Sequence, residues 1–205
     1  MKKKLGLISL SLSILLLFTG CEVSDPVQTG TTLLKEKKYE EAITSFETAI
    51  EKEQNESEAF RGVGIAQYEL GNYEDALTAF NQALEFEDAV KTPTLYNLMG
   101  ICSMKLTDYQ GAVNNFNAGI LVSENEKKNK TGDTETGKEE ETEENAEEKE
   151  DTDYTEVLKE MRYNLIVSYE KLEDWGNAKQ AVADYLENYP DDEAAQKEAA
   201  FLETR

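Results

Sequence analysis

The sequence predicts an all-α protein, a short solenoid of about four helix-turn-helix hairpins followed by a C-terminal capping helix. Two observations predict this fold. An aromatic residue followed three positions later by alanine recurs along the chain, and small residues recur at a fixed distance before each alanine. A third observation, an acidic stretch almost without apolar side chains, predicts a disordered insertion between the third and fourth hairpins.

The repeat has a period near 34 residues. Its aromatic–alanine pairs are Tyr39/Ala42, Tyr73/Ala76, Tyr109/Ala112 and Trp175/Ala178. The alanines lie 34, 36 and 66 residues apart, so the last interval is one period plus an insertion of about 32 residues. Four residues beyond the alanines come Phe46, Phe80, Phe116 and Val182, and twelve before them come Gly30, Gly64, Gly100 and Ile166. Glycine lets two crossing helices approach closely, so the pattern is typical of stacked helical hairpins.

This pattern resembles the tetratricopeptide repeat. The second unit, Ser57 to Val90, resembles it most, with Gly64, Tyr68, Gly71, Ala76 and Phe80 among the matching residues. The resemblance implies a right-handed solenoid, with three hairpins over residues 27–122 and the fourth hairpin and capping helix over residues 154–205. It also implies that the first helix of each hairpin lines a concave groove.

That groove is the predicted binding site, because family members commonly bind extended peptides or partner helices there. The mapped groove residues are Arg61, Ile65, Tyr68, Asn97, Ile101, Met104, Tyr163 and Val167. They form a mixed apolar surface with few charges, which suits an apolar segment of a protein partner. A second interpretation stays open, in which Ile65, Ile101 and Val167 partly fill the interior of the superhelix themselves.

Residues 1–20 are predicted to be a secretory signal peptide. Three lysines precede an apolar run from Leu5 to Phe18, and Thr19-Gly20 leads directly to Cys21. A helix of that length covers about 21 Å, less than a bilayer core of roughly 30 Å. The segment resembles the lipobox of bacterial lipoproteins, which implies a lipid anchor at Cys21, a tether over residues 21–26 and a location on the outer face of the cytoplasmic membrane. An ordinary signal peptide with an incidental cysteine is the alternative.

The acidic segment of residues 123–153 has 14 acidic and 5 basic residues, and Ala146 is its only apolar side chain. Burial cannot offset its ordering entropy, so we expect it to be disordered. A solvating linker is the favoured interpretation, and binding of cations or basic ligands is the alternative. The spacing of its carboxylates does not match a calcium-binding loop.

Charge and composition exclude several functions. A net charge of −22 disfavours nucleic acid and electrostatic attachment to anionic membranes. The chain has no histidine, and no catalytic, phosphate-binding or metal motif is present. We therefore expect no enzyme activity, no cofactor, no metal and no small-molecule substrate. Cys102 occupies the place of Ala66 in the second unit, so a buried packing thiol is expected there.

Together these features predict a membrane-anchored, extracytoplasmic scaffold that binds a protein or peptide partner in its concave groove. Its role would be that of a non-catalytic adaptor or assembly factor. Two alternatives remain: a self-associating structural spacer of the cell envelope, and an acidic sensor that responds to cations.

Overall fold

The computed structural model describes residues 25–132 and 153–205, with side chains in the first range up to residue 129. The predicted signal peptide, Cys21 and residues 133–152 of the predicted insertion lie outside the described residues. Within those two ranges the backbone forms nine α-helices and no strand. They are α1 (Pro26–Lys35), α2 (Tyr39–Glu51), α3 (Glu56–Glu69), α4 (Tyr73–Leu84), α5 (Pro93–Lys105), α6 (Tyr109–Gly132), α7 (Thr155–Lys171), α8 (Trp175–Asn188) and α9 (Glu193–Leu202).

The helices stack as four hairpins and a cap. The pairs α1/α2, α3/α4, α5/α6 and α7/α8 pack against each other, and each second helix also packs against the first helix of the next hairpin. Helix α9 packs on α8, and α1 contacts α3 as α5 contacts α7. The prediction of an all-α solenoid with four hairpins and a C-terminal capping helix is confirmed.

The turn inside each hairpin has one left-handed residue, two positions before the aromatic residue that begins the second helix. These residues are Lys37, Gly71, Thr107 and Glu173, with φ of 60°, 81°, 62° and 56°. In each turn the following residue donates its backbone N–H to the carbonyl five positions earlier, as from Asp108 to Ser103 at 2.8 Å. This bond satisfies a carbonyl at the end of the first helix. The four turns therefore share one geometry although only one of them contains glycine.

A phenylalanine of the second helix lies on a glycine of the first helix in three hairpins: Phe46 on Gly30, Phe80 on Gly64 and Phe116 on Gly100. A Cβ on Gly100 would lie only 2.3 Å from Cε1 of the fully buried Phe116. In the fourth hairpin the same two positions hold Ile166 and Val182, both buried. Ile166 is larger than the glycine of the other hairpins and Val182 is smaller than their phenylalanine, so the two changes together preserve the packing of the fourth hairpin.

Two predicted boundaries need correction. Asp25 caps α1 by accepting the backbone N–H of Val27 at 2.9 Å, so Pro26 is a buried first helical residue rather than the end of a tether. Helix α6 continues to Gly132, ten residues into the segment predicted to be disordered from residue 123. The reason is tertiary: Ser123 is only 3% exposed, and Glu124 forms an ion pair with Arg162 of α7 at 3.6 Å.

Candidate functional site

The predicted groove residues lie on three first helices, α3, α5 and α7, and we call the surface that they form the groove face. All of them are half-buried except Asn97, which is buried. They come from α3 (Arg61, Ile65, Tyr68), α5 (Asn97, Ile101, Met104) and α7 (Tyr163, Val167). Seven of the eight predicted residues therefore keep part of their surface exposed.

The apolar members of the groove face are also part of the core. Ile65 and Tyr68 pack against a buried cluster formed by residues of α4 and α5, whereas Ile101 and Met104 pack against the cluster between α6 and α7. The Tyr163 ring lies edge-on to the ring of Tyr185, with centroids 5.8 Å apart. Such side chains are held in place by the core on one side and stay partly exposed on the other.

A polar contact joins α5 and α7 within the groove face. Asn97 Nδ2 donates a hydrogen bond to Glu160 Oε2 at 2.7 Å, which links α5 to α7. Burial raises the pKa of the Tyr68 hydroxyl, with smaller contributions from Cys102 and from the Glu160 carboxylate. Glu160 therefore binds Asn97 directly and acts on Tyr68 only through its charge.

The charges of this face are mainly acidic. Arg61 is neutralised by Glu58, whose Oε2 accepts a hydrogen bond from Arg61 Nε at 2.9 Å. At the C-terminal end of α7, the pKa of Glu170 is raised to about 7, chiefly by burial and then by a hydrogen bond with the Glu198 carboxyl group of α9. The prediction of few charges on the groove therefore needs correction, because carboxylates from neighbouring positions reach it.

Comparison with protein families supplies an independent result. Two models described as tetratricopeptide repeat match residues 27–90 and 160–192. The chain is a tetratricopeptide repeat protein. Comparison with curated protein sequences gave no match.

Solved structures with the same fold include several repeat proteins. MamA from Desulfovibrio magneticus is 17% identical, with 88% of this chain and 85% of that chain covered and a TM-score of 0.61. YrrB, described as a tetratricopeptide repeat protein with an unusual peptide-binding site, is 16% identical, with 86% and 74% covered and a TM-score of 0.62. A tetratricopeptide repeat protein from Parabacteroides merdae is 15% identical, with 86% and 56% covered and a TM-score of 0.54. These likenesses establish the fold of the chain.

The mapping by repeat position missed the acidic groove residues of this tetratricopeptide repeat protein. Glu58 and Glu160 are second residues of their units, three positions before Arg61 and Tyr163. Glu170 is the twelfth residue of the fourth unit, the position that Tyr68 occupies in the second unit. A mapping that included the second position of each unit, and the twelfth position of the last, would have found all three.

Beneath the groove face, Cys102 is the packing thiol that the sequence predicts. It is fully buried in the cluster that contains Ala76, Phe80 and Met99. Burial raises the pKa of this thiol to about 11, so it is protonated and unreactive at neutral pH.

Within residues 25–132 and 153–205, no group of three or more histidine, cysteine or carboxylate side chains is arranged to hold a metal ion. No helix of the described part of the chain is long and apolar enough to span a bilayer.

A second concavity, of about 320 Å³, lies between α6, α7 and α8. Leu121 lines it and is 55% exposed, and the Arg162–Glu124 ion pair stands beside it. Both apolar and charged groups are therefore exposed on this side of the repeat, away from the residues predicted from the sequence.

Proposed function

We propose that this repeat protein is a non-catalytic scaffold that binds a protein or peptide partner along its groove face. The observation that carries the proposal is the set of half-buried aromatic and apolar side chains on α3, α5 and α7, with the buried Asn97 amide at its centre. Aromatic side chains that are already ordered by the core lose little conformational entropy on binding, so they can anchor a partner strongly. YrrB, a protein of the same fold described as having an unusual peptide-binding site, supports a peptide-binding role.

The test is a double variant, Tyr68→Ala with Tyr163→Ala, compared with Tyr109→Ala, which removes a half-buried tyrosine at the start of α6. A partner is first identified by crosslinking in native membranes and mass spectrometry. We expect the double variant to retain its helicity and to weaken partner binding by ~2 kcal/mol or more. Equal loss of binding in the Tyr109 variant would show that general destabilisation, rather than the groove, explains the result.

We propose further that the scaffold is secreted and held on the outer face of the cytoplasmic membrane by a lipid anchor at Cys21. The basic head, apolar run and Thr19-Gly20-Cys21 junction support this proposal. Two acyl chains at that cysteine would hold the protein stably, because each buried CH₂ contributes ~0.8 kcal/mol. Cys21→Ser should release the protein from membranes or leave the precursor uncleaved. A membrane-bound product of mature size from this variant would refute the anchor.

A self-associating spacer is the second candidate function, and Leu121 together with Phe201 favours it. Leu121 is 55% exposed beside the α6–α7–α8 concavity, and Phe201 is 43% exposed on the capping helix. Light scattering of the purified protein over a range of concentrations separates the two candidates. An oligomer that grows with concentration favours the spacer, and a monomer at all concentrations favours the scaffold.

A further inference from the structure

Asn97 is buried with its side-chain acceptor unused. Its side chain is 5% exposed, and its Oδ1 has no hydrogen-bond partner among the described residues. Because a carboxylate only accepts hydrogen bonds, the amide must present its nitrogen to Glu160, which fixes the orientation of the group. A buried acceptor without a donor is destabilising, so the site lacks one N–H group.

Glu160 is the exposed half of this pair. No lysine or arginine in the described part of the chain forms an ion pair with it, and Arg61, the one cation among the predicted groove residues, is already paired with Glu58. The Tyr68 hydroxyl lies near enough to Glu160 for the carboxylate to affect its pKa, after the larger effect of burial. The centre of the groove face thus offers two acceptors and an aromatic ring, but no unpaired cation.

We propose that this centre binds a lysine or arginine side chain of the partner segment, with Glu160 at the rim and Asn97 at the floor of the site. The inference rests on the proposed function, since it names the chemistry of the segment that occupies the groove. It goes beyond the expectation of a purely apolar segment.

The chemistry of both cations fits these groups. A lysine ammonium has three N–H donors and an arginine guanidinium has five, so a cation that bonds the Glu160 carboxylate keeps donors to spare. Asn97 Oδ1 is closed to solvent in the free protein, so the cation supplies the donor that this oxygen lacks only when the Asn97 side chain turns toward the rim. Its aliphatic stem can pack on Ile101, and the Tyr68 ring can bind the charge through its face. An acidic segment would instead meet Glu160 and a chain with a net charge of −22.

The test uses the full-length protein and an array of extended apolar peptides, each made in four versions with lysine, arginine, norleucine or glutamate at one central position. Affinity is measured by fluorescence anisotropy at low and high salt. We expect the cationic versions to bind about tenfold more tightly than the norleucine versions at low salt, and the difference to shrink as salt screens the charge.

Glu160→Gln keeps the shape of the side chain and removes its charge. It should abolish the cation preference while the norleucine versions bind as before, and Glu187→Gln, an exposed carboxylate on α8, should leave the preference unchanged. Equal binding of lysine and norleucine versions would overturn the cation site and leave the groove assignment intact. No binding of any version would refute both proposals. A preference that survives Glu160→Gln but disappears in Glu170→Gln would place the cation elsewhere and overturn the assignment to Glu160.

Discussion

Alanine at Gly100 would add a Cβ 2.3 Å from Cε1 and 2.6 Å from Cδ1 of Phe116. Carbon atoms in contact are normally about 3.5–4.0 Å apart, so either the ring or the helix must move by more than 1 Å. Phe116 is fully buried, and it belongs to a cluster with Ala112, Val113 and Leu165 that leaves it little room. The added methyl group therefore strains the crossing of α5 and α6.

Overpacking of this kind costs ~1–3 kcal/mol, and the higher helix propensity of alanine offsets ~0.5–1 kcal/mol of it. We expect Gly100→Ala to lower the free energy of unfolding by about 0.5–2 kcal/mol, with a fall in Tm of about 2–4 °C for each kcal/mol. Urea unfolding followed by far-ultraviolet circular dichroism, together with a thermal scan, measures both quantities.

The matched control is Gly176→Ala near the start of α8, where the added Cβ would meet only Asp174 Oδ1 at 3.8 Å. That variant should be as stable as the original protein or slightly more stable. A double variant, Gly100→Ala with Phe116→Leu, removes the ring edge and should show a coupling energy of at least ~0.5 kcal/mol. The overpacking argument is refuted if Gly100→Ala is stabilising, or if the two single effects simply add.

Two further predictions concern the hairpin turn and the C-terminal cap. Thr107 has φ 62°, which a β-branched residue adopts at a cost, so Thr107→Gly should stabilise the fold by about 0.5–1 kcal/mol, and Gly71→Thr should destabilise it by a similar amount in urea unfolding. The pKa of Glu170 is raised from 4.5 to about 7 in the folded protein, chiefly by burial and then by Glu198. The folded state thus keeps a proton that the unfolded chain releases, and this group lowers stability as pH rises from about 4.5 to about 7. Glu170→Gln should therefore raise the Tm above pH 7 and change it little near pH 4.5; an equal effect at both values would contradict the assignment.

Some helix boundaries can be predicted from the local sequence, and others depend on tertiary contacts. The second helices begin at the aromatic residues of the repeat, Tyr39, Tyr73, Tyr109 and Trp175, and each start follows a turn of the same geometry. The end of α6 has no such local signal, since residues 123–132 are polar and charged. Its position depends on the burial of Ser123 and on the pairing of Glu124 with Arg162, which belongs to the next hairpin.

The same distinction holds for the groove face. Position within the repeat places Tyr68, Asn97 and Tyr163 on the first helices, because residues at equivalent positions of stacked units lie on one side. The acidic character of the face depends instead on contacts between units. Asn97 and Glu160 are 63 residues apart in the chain, and only the packing of α5 against α7 brings them within hydrogen-bonding distance.

The sequence by itself determined the helical hairpins, their number and their order, because a periodic pattern of aromatic and small residues repeats its packing in every unit. For the same reason the sequence predicts that the two helices of a hairpin cross closely at Gly30, Gly64 and Gly100. The tertiary structure alone decided which polar groups are satisfied: Arg61 is neutralised by Glu58, whereas among the described residues the Asn97 side-chain oxygen has no donor and Glu160 has no cation beside it. Satisfaction of a polar group depends on distances of a few ångströms between helices, and the period of a repeat does not specify them.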